Sequence, residues 1–428
     1  MEKVDLEFRK DALKSNTEGY ENTAVGSNSL MSNTTGANNV AIGERALENN
    51  TTGSRNTAVG VVALKNNLTG FNNVALGNGT LYYNTEGFFN TALGYRSLGG
   101  NTTGDENTAV GEKAMLSNTI GESNTAVGVK TLYSNTEGNN NTAIGIYSLY
   151  ANTTGSENVA VGKNVLSANT EGEYNVGVGS YALNQNITGD NNAALGLNAL
   201  FANTTGDDNV AIGKHALQLN TEGHSNVGVG NMALNSNTTG QLNVAVGINA
   251  LFTNQTGRFN VAVGESALLN SNTDRNTAVG HNALTEAKAG VNNVALGYNT
   301  LNNVTSGNYN VGIGNSAGSN VVGGSGNVFI GNNANTGSNQ AGPANRIAIG
   351  SAANVTQNNT AVIGNDLVTG VYMNEEGKAM VYAKGITFGD NTSMETAAAS
   401  AAETQAADAA LQAAIDANAA ADAEESAA

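Results

Sequence analysis

The sequence predicts an all-β chain, a parallel β-solenoid (β-roll) of about 20 coils with one 17-residue repeat per coil. Three observations carry this. Glycine recurs in the phrase NTAVG and its variants at Gly26, Gly43, Gly60, Gly77 and onward to Gly264, always 17 residues apart. Each unit holds a single apolar run of four or five residues with β-branched members, which reads as one short strand. Most units also carry NTTG or NTEG, where Asn and Gly tolerate positive φ and close a turn.

Taken in order, residues 1–15 read as a degenerate capping coil. Leu6, Phe8, Ala12 and Leu13 fall in register with core positions, and Arg9 stands where the repeat has glycine. Charges from Glu2 to Lys10 cover the open edge of the stack, with no room before them for an anchoring domain. The array proper covers 16–365. Each coil is expected to run strand, bend, a second short extended segment around the repeat leucine, and turn. Beyond Gly264 the spacing loosens through Gly280, Gly297, Gly314, Gly331, Gly350 and Gly364, with Asp274 replacing a turn glycine in a coil one residue short. Residues 366–392 alternate apolar and polar around Asn374 to Gly377 and predict a β-hairpin connector. Residues 393–428 are Ala-rich and acidic, a composition for a helical coiled-coil stalk whose convincing knobs are Leu411 and Ile415. A chain ending inside that stalk reads as part of a longer stalked protein.

Stacking repeats align equivalent positions into columns, so stability grows by nearest neighbours. Val25, Ile42, Val59, Leu76, Leu93 and Val110, with Leu30 and its equivalents, are the expected apolar core. Two asparagine columns, one through Asn22 and Asn39 and one through Asn16 and Asn33, are expected to bond amide to amide along the stack. An Ala/Gly column through Ala24, with Gly177, Gly228 and Gly312 as replacements, requires a close neighbour: the opposite wall or another chain. Gly26 and its equivalents form the fixed bend.

The chemistry classes thin out quickly. A formal charge of −17 argues against a nucleic-acid partner. No apolar run is long enough for membrane insertion, and the first residues lack a secretory signal core. Cysteine is absent, and His215, His224 and His281 sit at unrelated coil positions, so neither a thiolate nor a paired-histidine metal site is expected. Acidic residues cluster at turn tips, not across a cleft as hydrolysis requires. No catalytic residue, cofactor or metal is expected. The remaining candidates are aromatics at variable positions, as receptor contacts: Tyr20, Phe71, Phe88, Phe89, Tyr174, Phe259 and Tyr309, with Tyr82, Tyr83, Tyr133, Tyr150, Phe201 and Phe252 after the repeat leucine.

The phrases NTAVGVKTLYSNTEGNNNTAIG (124–145) and NVAIGKHALQLNTEG (209–223) resemble the 17-residue repeats of phage tail-fibre proteins. GITFGDNTSMETAAAS (385–400) looks like a fibre joint between β structure and a helical stalk. The repeats also resemble the head of trimeric autotransporter adhesins, a left-handed parallel β-roll with shorter coils. What these resemblances imply is a homotrimer of β-rolls with a coiled-coil stalk, sited on a virion or otherwise extracellular. Its partners would be other virion proteins and a host cell-surface glycan or protein. A bacterial surface adhesin is the alternative function. An ice-binding solenoid is a third, suggested by a threonine column through Thr34, Thr51 and Thr85 that Leu68, Ile187 and Gln255 interrupt.

Overall fold

A computed structural model describes residues 6–8, 10–337, 342–368, 385–387, 393–395 and 412. The chain divides into two units, 1–367 and 368–428. The first is a parallel β-solenoid whose three-residue strands, one per coil from Leu6–Phe8 to Ala361–Ile363, join one 22-stranded sheet. Registers are strict: Thr23, Ala24 and Val25 face Val40, Ala41 and Ile42, which face Thr57, Ala58 and Val59.

Successive residues of a strand point to opposite faces. With three residues per strand, only the middle one can face inward, and it is the alanine. Ala24, Ala41 and Ala58 are fully buried, whereas Ile42 is 40% and Leu93 47% exposed. The column through Val25 therefore lies outside, contrary to its expected place in the core. The interior is built from the Ala24 column, the Leu30 column and the small column through Ser29 and Ala46. The same register puts Glu7 in line with Ala24, and Leu6 and Phe8 in the two flanking columns instead of core positions.

The close neighbour of the alanine column is the opposite wall of the same chain. A Cβ on Gly177 would lie 2.5 Å from Val165 Cγ1, the bulkiest residue of its column, and one on Gly312 would meet Thr300 Cγ2 at 2.6 Å. Near the C-terminal end the swap reverses. Gly318 takes the leucine place and buried Phe329 the alanine place, with a Cβ on Gly318 only 2.8 Å from Phe329 Cδ2. Volume is conserved across the wall, as dense packing demands.

The leucine wall is not the second extended segment that the sequence suggests. It is a chain of turns, with Asn28 at φ 60° and Leu30 at φ 49° in the left-handed region. Left-handed residues bend the wall round an interior one leucine wide, which an extended segment, advancing ~3.3 Å per residue, would overshoot. Every member of this column from Leu13 to Leu301 holds φ between 48° and 52°, and all are Leu except Met115. That conformation costs about 1–2 kcal/mol per residue, and burying the side chain returns about 1.5–3 kcal/mol. β-Branched residues are strained there, which explains why a fully buried column contains no Val or Ile. Leu149→Ile should therefore lower the thermal unfolding midpoint well beyond the ~1.5 kcal/mol ceiling of a volume-conserving swap, while Leu149→Met stays within it. Equal shifts for the two would contradict the conformational argument.

The two asparagine columns are bonded along the stack and, beyond Asn16, buried. Asn39 Nδ2 and N both donate to Asn22 Oδ1, at 3.2 and 3.0 Å, and Nδ2 also reaches Gly53 O at 2.9 Å. The N–H to Oδ1 bond repeats up to Asn327, where Arg346 N takes the place of the next asparagine N–H at 3.1 Å. Arg346 itself is buried, donating to Asn358 Oδ1 at 2.8 Å and to Thr336 Oγ1. The second column runs Asn33 Nδ2 to Asn16 Oδ1 at 2.9 Å and onward to Asn254. There Ser271 follows, then Ala287, Val304 and Val321, all buried, so the amide column becomes apolar. Asn254 Oδ1 is left as a buried acceptor with no partner: Ser271 has no amide to donate as each earlier asparagine does, and its hydroxyl pairs with Thr273 Oγ1 at 3.1 Å.

Past Val328–Ile330 a second parallel pairing, Asn335–Thr336 with Asn354–Val355, joins the last coils. In the second unit, Gly385–Thr387 pairs antiparallel with Ser393–Glu395. Those last three residues are strand where the helical stalk was expected to begin. The turn expected at Asn374 to Gly377 and the knobs Leu411 and Ile415 lie outside the described residues.

Candidate functional site

The outer face of the sheet is a continuous ribbon of two columns. One runs through Thr23, Val40, Thr57 and Val74, the other through Val25, Ile42, Val59 and Leu76, and from Thr23 to Ile363 neither contains a charged residue. Val176, Leu195, Ile212, Val294 and Ile313 along it are exposed. Two columns ~7 Å apart over about 20 coils of ~4.8 Å give a flat footprint of roughly 700 Å² before side-chain relief. Exposed apolar patches beyond a few hundred Å² mark interaction surfaces.

The aromatic candidates lie on another part of the coil, just before the strand asparagine, and the structure does not gather them into one site. Phe71 and Phe88 stack at 4.9 Å, and Phe89 meets both edge-on at 5.7 Å. Tyr174, Phe259 and Tyr309 are exposed on separate coils, each with φ near 56–60°, and Tyr20 stands alone near the first coil. Arg275 covers the Phe259 ring at 5.6 Å. Asp105, next to this stack, accepts the Phe88 N–H at 2.8 Å; burial raises its pKa against the opposing pull of that bond. Tyr133 and Tyr150, after the repeat leucine, stack at 5.2 Å.

The histidines remain apart. His281 stacks on Tyr298 at 5.4 Å, His224 Nδ1 lies 3.4 Å from Ser225 Oγ, and His215 Nδ1 is buried without a partner. Among the described residues no three His, Cys, Asp or Glu side chains gather to hold a metal, and no helix is long and apolar enough to cross a membrane. The threonine column is tied into the coil stack: Thr34 Oγ1 donates to Thr51 O at 3.0 Å and Thr136 Oγ1 to Thr153 O at 3.1 Å. Each hydroxyl proton is thus used internally, which removes the free donor row that an ice-binding face would present.

No known family model matches the chain, and no curated protein matches it.

Proposed function

We propose that this chain is a non-catalytic structural and adhesive fibre protein of a virion, assembled as a homotrimer and used to attach to a host cell surface. The observation that carries the reading is the uncharged ribbon. A chain with a formal charge of −17 keeps every charge off two columns of the sheet face from Thr23 to Ile363. Its footprint is comparable to the ~800 Å² that each partner contributes to a standard protein interface. Because the columns repeat at every coil, parallel copies in register bury the same Val, Ile and Leu positions throughout, as cyclic symmetry requires. The resemblance to phage tail-fibre repeats is what implies three chains and a virion setting. Attachment then falls to the rings that stand off the ribbon, with Phe71, Phe88 and Phe89 as one three-ring cluster.

Placing charge on the ribbon tests assembly directly. Ile144→Glu combined with Leu195→Glu should reduce the sedimenting species to single chains, while Tyr309→Ala leaves the mass unchanged. Retention of the oligomer by the double variant would remove the ribbon from the interface. For attachment, fluorescent full chain is expected to bind saturably to particular strains in a panel of bacteria, and Phe71→Ala with Phe89→Ala to weaken that binding. Absence of saturable binding across the panel would overturn the adhesive half of the proposal.

A further inference from the structure

The outer wall of the coils is notched around Gly79. Gly79 occupies the position held by Val62 and Arg96 in the neighbouring coils, Gly99 that of Tyr82 and Leu116, and Gly100 that of Tyr83 and Ser117. None of the three belongs to the two repeating glycine columns. Together they open a pocket of about 680 Å³, within the ~300–1,000 Å³ of small-molecule sites. At Gly79 the backbone does not call for glycine: φ is 66°, and Val62 and Arg96 adopt 54° and 52° at the same coil position. A Cβ on Gly99 would sit 3.5 Å from Gly79 O and 3.1 Å from Leu116 Cδ1, so these two positions adjoin. Gly100 is held by packing, since its Cβ would come 2.5 Å from Leu116 O.

The rim is aromatic and cationic. Tyr83 and Tyr95 are 58% and 47% exposed, and Tyr82 meets Tyr83 edge-on at 4.7 Å. Lys65 and Lys113 lie over Tyr82 and Tyr95 but are paired with Glu48 and Glu112, each at 3.5 Å. Arg96, 6.0 Å over Tyr95, lines the pocket and forms no ion pair among the described residues. An open slot with tyrosine faces and one uncompensated guanidinium suits a sugar ring, whose apolar face stacks on tyrosine, bearing a carboxylate that the planar fork of arginine binds in two places. Arg96, Lys113 and Lys130 follow one another in three successive coils, but Lys113 is paired with Glu112, so the row of free cations that a polyanion needs is interrupted.

We propose that the notch around Gly79, Gly99 and Gly100 binds an acidic sugar residue, with Tyr83 and Tyr95 as stacking platforms and Arg96 as the carboxylate partner. This deepens the attachment reading, on which its biological use rests, by naming a ligand class.

The test is saturation-transfer NMR on the full chain with 3′-sialyllactose, a hyaluronan tetrasaccharide and lactose. At least one acidic probe should bind tenfold or more tightly than lactose, and which one responds tells sialic acid from a uronic acid. Gly79→Tyr should abolish binding; it keeps the fold, because Tyr147 and Tyr181 hold the same coil position at φ 55° and 61°. Arg96→Gln should erase the preference for acid while weak stacking persists. Neither acidic probe exceeding lactose, or full binding by Gly79→Tyr, would overturn the proposal. Cell binding that survives Gly79→Tyr would leave attachment standing and the notch without a part in it, whereas sugar binding without cell binding would do the reverse.

Discussion

Gly145→Ala should cost the array far more than one added methyl group ordinarily does. Gly145 has φ 125°, and an added Cβ would collide with the Gly162 carbonyl, lying 2.7 Å from its carbon and within contact of its oxygen. Both obstacles are backbone, so no side-chain rotation relieves them. The next coil would have to lift away, breaking Gly162 N to Ile144 O at 2.8 Å and its neighbours. We expect a loss of at least about 3 kcal/mol, from strain of ~1–3 kcal/mol at the residue itself plus the coil-to-coil bonds. In a stack held by nearest neighbours, the melting profile should split into two transitions. Gly79→Asn is the matched control: its Cβ would meet nothing closer than Arg96 Cγ at 3.4 Å, and Asn28 and Asn164 hold the same coil position at φ 60° and 55°. Calorimetry should find it near wild type. A similar small shift for both variants would mean that the glycine column is not set by stacking.

Asn152→Ala should come second. Asn152 Nδ2 donates to Asn135 Oδ1 and Gly155 O, each at 2.8 Å, and Asn169 Nδ2 donates to the Asn152 amide oxygen at 2.8 Å. Truncation strands the Asn135 oxygen and leaves the Asn169 amide with one acceptor, Gly172 O. At about 1–3 kcal/mol per stranded buried group, with further loss from interrupting a chain of mutually polarising amides, a deficit near 3 kcal/mol is expected. Asn254→Ala is the informative comparison, since its oxygen already has no partner. It should cost at least ~1 kcal/mol less. Thermal midpoints at one chain concentration decide this, and a loss at Asn254 equal to that at Asn152 would show that the bonds along the column contribute little.

The coil length, the single strand per coil and the column membership were legible because each depends on one residue type recurring at one position. Which side of the wall a column faces was harder. Val25 and Ile42 are apolar and by that property alone read as inward, although a three-residue strand with alanine in the middle can bury only the alanine. The clue was present in the pairing of Gly177 with Val165, a small residue set against a large one twelve positions earlier. A leucine column lacking Val and Ile likewise signals left-handed backbone, where an extended segment was expected. At the candidate site, the exposed rings were visible as departures from the repeat, and the off-column glycines at 79, 99 and 100 could have been noticed the same way. The 17-residue spacing sets Phe71 beside Phe88, but the edge-on approach of Phe89 and the lack of a counter-ion at Arg96 follow from side-chain placement across coils, which spacing alone does not encode.

The central claim is that the uncharged ribbon is covered by two further copies of this chain. Sedimentation equilibrium of the intact protein at moderate salt tests it most directly. The account predicts a mass of three chains of 43.3 kDa each, unchanged on dilution to low micromolar concentration; a stable single chain, or a dimer, would contradict it.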